Sequence, residues 1–540
     1  MKLTIWLLAG LVCLPIVALI IIAAGDADNV WPHIMQNVLP GSLATTLWLL
    51  FLVATATTII GVVAAYLVVA FEFPFRRLLA WMVVLPLAVP PYLAAYALGE
   101  FFHYTGPVQS AVRALFGFET IRDYWFPDIR STGGAALVLS CVLYPYVYLT
   151  TRVVFLMQAR GVADAARTLG AGPWRVFFRV MLPLARPAIV AGAALVLMEV
   201  INDIGAAEYL GVRTLTFSVY ATWLNRGSLA GGAQIALVLL TVVFALLAAE
   251  HWARRKQRFS VARASQFNAR PPRKKLRGLA AALAPIALLA PVLLGFGVPL
   301  YVFGRYLSRR LDTAFTSTLA DALVTTLTVG AITAMLTVAI ALFLTYAARA
   351  VRDPSAHWAT RLASIGYALP GGVLAIGLLF LLGGLDGVID HIARAGFGAS
   401  TGLLITGSAA AVIIACTIRF IALAEGAIAS GYDKLPPNID PAARSLGQNA
   451  GGSYAKVIFP LLTPAILTAS VLVFVDTVKE LSATILLRPF GFNTLATYVY
   501  EQASRSAPEE GAAAALAIVL VALMPVILLS RMLADDRSGS

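Results

Sequence analysis

Four acidic residues stand inside long apolar stretches, and they form two pairs with the same spacing. Glu199 and Asp203 lie four residues apart, and Asp476 and Glu480 repeat that spacing further along the chain. A spacing of four places both carboxylates on one face of a helix. Charged groups inside a membrane are costly and usually face a cavity or a partner, and carboxylates are hard oxygen ligands. The pairs therefore suit the lining of a path for a cation.

A structural role would explain the same carboxylates equally well. Each pair could cap a broken helix, or it could pair with a cation such as Lys479 or Arg213. Glu208 is a weaker candidate for the path, since Ile485 occupies the corresponding position. The sequence leaves path lining and structural pairing as open alternatives.

Two motifs of well-known enzyme classes are absent from the sequence. There is no His-Glu-x-x-His, which counts against a metal-dependent membrane enzyme. No Gly-Lys dipeptide occurs, although the phosphate-binding loop of an ATPase requires one. The five histidines show no paired metal spacing, and the three cysteines lie inside apolar stretches, as small core residues do. We expect a chain that is not an enzyme and binds no cofactor, and the sequence identifies no metal ligands.

Composition places most of the chain in lipid. Hydrophobic residues make up 60% of the 540 residues and charged residues 12%, about half the charged share of a soluble domain. A helix that crosses a bilayer needs roughly 20 apolar residues. Twelve stretches are long enough: 5–24, 42–70, 80–101, 133–157, 187–210, 230–250, 279–303, 319–348, 360–383, 403–424, 464–487 and 511–534. We interpret the first of them as a membrane helix that is not cleaved. The predicted fold is all-α, a polytopic membrane protein of about twelve transmembrane helices.

The sequence also repeats itself at a nearly constant offset, slightly more than half of its length. Residues 45–47 (Thr-Thr-Leu) recur at 325–327, and residues 165–170 (Ala-Ala-Arg-Thr-Leu-Gly) recur with one change at 442–447. The repeat predicts two copies of a six-span module. Because six is even, both copies enter the membrane in the same orientation, related by an axis along the membrane normal with a path between them.

The module boundaries follow from the repeat and from the charge. We predict a first transmembrane module at 1–250, a basic cytoplasmic linker at 251–278 and a second module at 279–540. The net charge is +13, and the densest run of Lys and Arg lies in the linker. Nucleic-acid binding could use such a run, but Lys and Arg accumulate in the cytoplasmic loops of membrane proteins. We expect an inner (plasma) membrane location in contact with lipid, both termini in the cytoplasm, and no nucleic-acid partner.

The loop after the fourth span contains two predicted short helices. The first covers 164–169, and Gly170 stands where a left-handed C-terminal cap is needed. Pro173 suits the first turn of the second helix, whose face mixes aromatic and basic residues: Trp174, Arg175, Phe177, Phe178 and Arg179. Such a helix could lie on lipid headgroups or dock into a groove of a partner protein. Its recurrence in both copies favours the partner.

This loop resembles the Glu-Ala-Ala loop of ABC importer permeases, which has a Gly six residues after the acid and Leu-Pro further on. The resemblance covers essentially the whole chain and implies two tandem permease modules of the type I importer kind, with each loop docked into a cytoplasmic ATPase. The residues carried over are Asp164, Ala165, Ala166, Gly170, Phe177 and Pro183 in the first copy, and Ala442, Ala443, Gly447, Tyr454 and Pro460 in the second. Pro441 replaces the acid in the second copy, and Gly451 and Gly452 replace Trp174 and Arg175. We therefore expect weaker docking there.

Two further stretches, 197–216 and 476–495, closely resemble the corresponding parts of ferric-iron ABC importer permeases, in which fused two-copy chains of this length are typical. The resemblance implies a permease subunit for ferric iron, with Glu199, Asp203, Asp476 and Glu480 along the translocation path. It also implies separate ATPase subunits, two in number, and a periplasmic or extracellular substrate-binding protein. Related permeases carry thiamine, polyamines, sulfate or phosphonates, and these substrates remain alternatives.

A secondary transporter is the rival of another class. It would also place carboxylates in the membrane for ion coupling. Neither a secondary transporter nor an ion channel would need the repeated cytoplasmic loop. The loop therefore favours the importer.

Overall fold

The computed structural model describes residues 2–25, 31–158, 170–255, 273–312, 316–350, 353–436 and 438–535. Within these ranges the chain is almost entirely helical, as its composition predicts. The helices are α1 (Lys2–Ala23), α2 (Trp31–Ala70), α3 (Arg76–Met82), α4 (Pro91–Phe102), α5 (Pro107–Phe116), α6 (Thr132–Gln158), α7 (Trp174–Asn202), α8 (Ile204–Tyr209), α9 (Leu215–Tyr220), α10 (Leu229–Arg255), α11 (Leu279–Arg309), α12 (Ser317–Ala350), α13 (Pro354–Ala363), α14 (Gly371–Phe397), α15 (Ala410–Tyr432), α16 (Ile439–Ser445), α17 (Gly451–Lys479), α18 (Thr484–Leu487), α19 (Leu495–Ser504) and α20 (Ala512–Asp535). Two short strands are β1 (Phe71–Glu72) and β2 (Lys274–Lys275).

Ten helices in the described part of the chain are long and apolar enough to cross a membrane, against twelve expected stretches. The third expected span is two helical pieces, Arg76–Ala88 and Pro91–Phe116, which meet at 99°. Pro90 and Pro91 stand at the bend, where a proline lacks the N–H that a continuous helix needs. Within the twelfth, the described side chains form an apolar part at Ala512–Ile527 of α20. If the bent pair counts as one span, the number is eleven.

The helices α7 and α17 each contain a widened turn near their start. Phe177–Met181 and Tyr454–Ile458 are π-helical and occupy equivalent positions of the repeat. Pro183 and Pro460 follow two residues later. The ring of a proline collides with the carbonyl four residues earlier in a regular helix, and a π-helical turn changes that spacing. The repeated Leu-Pro or Phe-Pro step thus shapes both helices alike.

The chain divides into two compact units that draw on distant parts of the sequence. Unit one consists of Met1–Trp31, Val219–Leu237 and Asp312–Glu501. In it, α1 packs against α13 and α14. The contact is close: a Cβ added at Gly377 would lie 2.9 Å from the Pro15 Cα, well inside van der Waals distance. The first helix of the sequence therefore belongs with helices from the second half of the chain.

An ion pair fixes the start of α1 to the start of α13. The Lys2 ammonium donates to the Asp353 carboxylate at 2.5 Å, and Asp353 also accepts from the backbone N–H of Ser355 at 2.9 Å. The Lys2 ammonium, with help from Ser355, lowers the pKa of Asp353 to about 2. The pair thus stays charged at neutral pH, and its contribution is lost only as the pH falls from about 4 towards 2.

Unit two consists of Pro32–Ser218, Val238–Leu311 and Gln502–Ser540. In it, α2 packs against α6 and α7, while α11 packs against α4 and α20. The strands β1 and β2 pair in parallel, Phe71 with Lys274. Glu72 forms ion pairs with Arg76 at 3.0 Å and with Arg273 at 3.7 Å. The downstream end of the predicted linker is thereby attached to the end of α2.

The duplication is confirmed by a contact that occurs once in each unit. The Thr46 hydroxyl accepts from the Leu215 backbone N–H at 2.8 Å in unit two. The Thr326 hydroxyl accepts from the Leu495 N–H at 2.7 Å in unit one. Both contacts join residues 169 positions apart, and each residue of the second contact is the repeat counterpart of a residue in the first. The same sequence motif therefore builds the same local structure twice.

Candidate functional site

The loop between α15 and α17 ends its first helix, α16, as the sequence predicts. Ala442 and Ala443 lie in α16, and Gly447 follows with a φ of +87°, in the left-handed region. The Gly447 N–H donates to the Arg444 carbonyl at 3.0 Å, and the Gln448 N–H donates to the Ala443 carbonyl at 3.2 Å. These bonds satisfy carbonyls at the helix end that would otherwise lack partners.

An acid still fastens this loop, although Pro441 occupies the expected position. Asp440, one residue earlier, accepts from the Ser453 hydroxyl at 2.7 Å and pairs with Arg444 at 3.1 Å. Ser453 lies at the start of α17 and is fully buried. The carboxylate therefore ties the first helix of the loop to the second.

The corresponding glycine of the first loop has the same backbone conformation. Gly170 has a φ of +81°, while Asp164, Ala165 and Ala166 lie outside the described residues. In the described part of the chain, a Cβ added at Gly170 or at Gly447 would meet no atom within 4 Å. Glycine is therefore required for its backbone conformation and not for lack of space.

Phe177 and Tyr454 attach the loops to the membrane helices. The Phe177 ring lies 4.3 Å from the Tyr66 ring in unit two, and the Tyr454 ring lies 4.6 Å from the Tyr346 ring in unit one. Phe177 is buried and also contacts Phe155. Both residues therefore face the chain's own helices, on the inner side of each loop.

The exposed aromatic surface of the first loop comes from Trp174 and Phe178. Their side chains are 72% and 56% exposed, and the rings stack at 5.9 Å with planes 17° apart. At the same positions the second copy has Gly451 and Ala455. Gly452 there donates to the Asn449 side chain, which caps the helix. The helices that follow the two glycines thus share a π-helical turn but differ in their exposed side chains.

Asp203 and Glu480 cap helices at two equivalent breaks. Asp203 follows the end of α7 and accepts from the Ala206 N–H at 2.7 Å, at the start of α8. Glu480 follows the end of α17 and accepts from the Ala483 N–H at 2.8 Å and from the Thr484 N–H at 2.9 Å. The two carboxylates are counterparts in the repeat. The sequence left path lining and a structural role open for these carboxylates. The contacts seen for Asp203 and Glu480 are those of helix capping, which is a structural role.

The cation that pairs with Glu480 is Arg419, which the sequence analysis missed. The Arg419 guanidinium lies 2.9 Å from the Glu480 carboxylate, with side-chain exposures of 8% and 1%. Arg419 is on α15, 61 residues away in the sequence. An arginine in the middle of an apolar span is itself a signal, because it needs a partner there. Spacing cannot say which acid that partner is.

Glu199 and Asp476 lie one helical turn before these breaks. Both side chains are half-buried, in α7 and α17 respectively. Within the described ranges no group of three or more His, Cys, Asp and Glu residues is arranged to hold a metal ion. A cation that passed these carboxylates would therefore meet no more than two of them at one place.

Both halves of the chain match a known family of membrane proteins. A family model for the "Binding-protein-dependent transport system inner membrane component" matches residues 57–257 and again residues 346–537. The chain belongs to this family. It is a multi-pass inner-membrane permease of the ABC importer kind, and the two matches are the two copies of the repeat.

Its relatives differ in the substrate that they are named for. The Fe(3+)-transport system permease protein FbpB 2 of Haemophilus influenzae is 22% identical over 91% of this permease and 89% of its own length. The molybdenum transport system permease protein ModB of Escherichia coli is 28% identical over 43% of this permease and 96% of its own length. A probable sulfate transport system permease protein of Chlorokybus atmophyticus is 26% identical over 46% and 85%. All three are named as permeases and not as enzymes.

One short motif in this permease has the spacing of a hydrolase nucleophile. Residues 398–402 read Gly-Ala-Ser-Thr-Gly, but they follow helix α14 and do not form the strand-to-helix turn of that motif. The Ser400 hydroxyl donates to Asp390 at 2.7 Å and accepts from Arg394 at 3.1 Å. Among the described residues no histidine forms a hydrogen bond with Ser400. Ser400 therefore links the loop that follows α14 to the last turns of that helix.

Proposed function

We propose that this permease forms the path by which ferric iron is imported across the inner membrane. The observation that carries the proposal is the extent of the likeness to the Fe(3+)-transport permease, which spans nearly the whole of both chains. The molybdenum and sulfate relatives each match less than half of this chain. The fused two-copy layout therefore favours iron, and the acidic pairs suit a hard cation.

In this proposal ATP is hydrolysed by two separate cytoplasmic subunits, which dock on the two loops. A substrate-binding protein delivers iron at the opposite face of the membrane. Trp174 and Phe178 supply a stacked aromatic surface for one ATPase subunit, whereas the second loop offers smaller side chains. Both termini lie in the cytoplasm, on the side of the basic linker.

In this proposal the two members of each acidic pair have different roles. Asp203 and Glu480 hold the helix breaks open, because they occupy backbone N–H groups that the breaks leave exposed. Glu199 and Asp476 are half-buried one turn away and are the better candidates to meet the ion.

An oxyanion is the second candidate substrate. It is favoured by the matches to molybdenum, sulfate and 2-aminoethylphosphonate permeases, each at 26–28% identity. An anion path would gain nothing from Glu199 and Asp476, so the two candidates predict opposite effects of removing their charge.

The test uses the complete importer in proteoliposomes, with uptake measured for ferric citrate, molybdate and sulfate. We expect iron uptake, and the double variant Glu199→Gln, Asp476→Asn should reduce it about tenfold or more, since carboxylates lining a path attract cations. Glu425→Gln is the matched control, because Glu425 is an acid in an apolar helix that is bonded to Ser364 at 3.2 Å.

Unfolding temperature is measured for every variant. Iron uptake that persists in a stable double variant would remove these carboxylates from the path. Uptake of sulfate or molybdate without iron would overturn the proposed substrate.

A further inference from the structure

Three oxygen-bearing side chains outside the acidic pairs meet in unit two. The Glu100 carboxylate, near the end of α4, accepts from the Tyr209 hydroxyl at 3.0 Å through one oxygen. Its other oxygen accepts from the Tyr306 hydroxyl, also at 3.0 Å. Tyr209 is the last residue of α8, and Tyr306 lies on α11. Three separate helices thus bring two phenols to one carboxylate.

Packing holds this cluster in place. The Tyr209 ring lies against Gly99, where an added Cβ would be only 2.5 Å from a ring carbon. The Tyr96 ring packs edge-on to Tyr209, with centroids 4.7 Å apart. Any larger residue at position 99 would displace Tyr209, so the close approach of helix and ring determines where the hydroxyl lies.

The spacing of these oxygens suits the ligands of a metal ion. Carboxylate and phenolate oxygens are hard ligands, which suit small, highly charged cations. An octahedral ion with bonds of 2.0–2.1 Å has neighbouring ligand oxygens about 2.9 Å apart. The two hydrogen bonds of 3.0 Å already place the oxygens at that separation. An ion would take the place of the two phenol protons, which would leave to water.

We propose that Glu100, Tyr209 and Tyr306 form a binding site for a hard trivalent cation, with ferric ion as its occupant. The inference rests on the proposed function for the identity of the ion. From this cluster, Tyr96 leads on towards Asp203, which lies within electrostatic range of Tyr96.

The charges nearby permit such an ion. Arg130 lies over the Tyr209 ring at 5.2 Å and opposes a cation. Glu509 lies within electrostatic range of Tyr306 and favours one. When both phenols are ionised, they and Glu100 carry three negative charges, which exceed the single charge of Arg130.

Two of the three groups are missing at the equivalent place in unit one. Phe380 stands at the position of Glu100, and Leu486 stands at the position of Tyr209. The corresponding helices fold there without either group. A brace that both units required would occur in both, so the presence of these two groups in unit two alone favours a role in binding.

The test titrates the full chain in lipid nanodiscs with ferric citrate. Phenolate bound to ferric ion absorbs visible light, and we expect this band in the unaltered protein. Tyr209→Phe and Tyr306→Phe should each lower its amplitude by about half, and Glu100→Gln should weaken binding about tenfold or more, as loss of a supporting group does at metal sites. Tyr301→Phe, on the same helix and 49% exposed, is the control and should leave the band unchanged.

The site is overturned if the unaltered chain shows no band, or if Tyr209→Phe with Tyr306→Phe leaves the band intact. A lower unfolding temperature with an intact band would assign the cluster to bracing alone. Iron uptake by the complete importer separates the two proposals. Uptake without the band would reject the site and keep the function, whereas the band without uptake would keep the site and reject the function.

Discussion

Gly170 and Gly447 show how one residue type can direct a whole loop. Each has a positive φ and open space around its Cα, so its importance lies in the backbone alone. The helix that follows each glycine takes its direction from this turn. A β-carbon would strain the turn by roughly 1–2 kcal/mol for a left-handed residue, which is enough to redirect a short helix.

We therefore expect Gly170→Ala and Gly447→Ala to reduce association with the ATPase, the first more strongly because its helix carries the aromatic pair. Gly172→Ala is the matched control, since its added Cβ also meets no atom within 4 Å and its φ is not positive. Co-purification of ATPase and unfolding temperature are the measurements. Equal behaviour of all three variants would show that the turn does not direct docking.

Single residues also mark the limit of what sequence reveals. The repeated spacing exposed Asp203 and Glu480, because a duplication doubles any signal that it contains. Arg419 and Glu100 have no such repetition, and their partners lie far away in the sequence. Which side chains meet across such a distance depends on helix packing, which no local pattern encodes.

At the scale of elements, α7 and α17 are equivalent helices of the repeat that share local structure and differ in their exposed side chains. Both begin beside a cap, contain a π-helical turn and end at a carboxylate. The apolar stretches predicted both helices because a membrane helix must be apolar along its length. The same stretches did not predict the 99° bend after α3 or the start of α14 at Gly371. Prolines interrupt the helix at both places, but the sequence around them stays apolar.

The aromatic residues of α7 give a test of the two faces of one helix. Trp174→Ala with Phe178→Ala should weaken ATPase binding about tenfold or more, as the loss of interface aromatics does, with little change in unfolding temperature. Phe177→Ala should lower the unfolding temperature, because it removes a buried ring from Tyr66 and Phe155. The opposite assignment of effects would mean that Phe177 is the docking residue. ATPase binding and thermal unfolding are measured on the same samples.

At the scale of the whole molecule, compact units and sequence modules differ. Unit one combines α1 with helices that begin at residue 317, and unit two includes α11 from beyond the linker. The sequence repeat predicts two modules, 1–250 and 279–540, and those boundaries stay a prediction. Hydropathy cannot show that the first helix of each module packs with the other, since every apolar helix has the same composition whatever its neighbour.

The packing of α1 predicts a specific defect. Gly377→Val should lower the unfolding temperature and expose α1 to protease, because the added atoms collide with the backbone of Pro15. Overpacking of this kind destabilises by roughly 1–3 kcal/mol. Gly383→Val, on the same helix with no atom within 4 Å of an added Cβ, is the control. Identical unfolding of the two variants would place α1 elsewhere.

The pairing of Lys2 with Asp353 also has a consequence for the order of events during synthesis. The two residues are 351 positions apart, and ribosomes add about 5–20 residues per second. The first helix therefore enters the membrane about 20–70 s before its packing surface exists. Until then it must wait in lipid or be held by the insertion machinery, and a nascent chain released early would leave it without its binding surface.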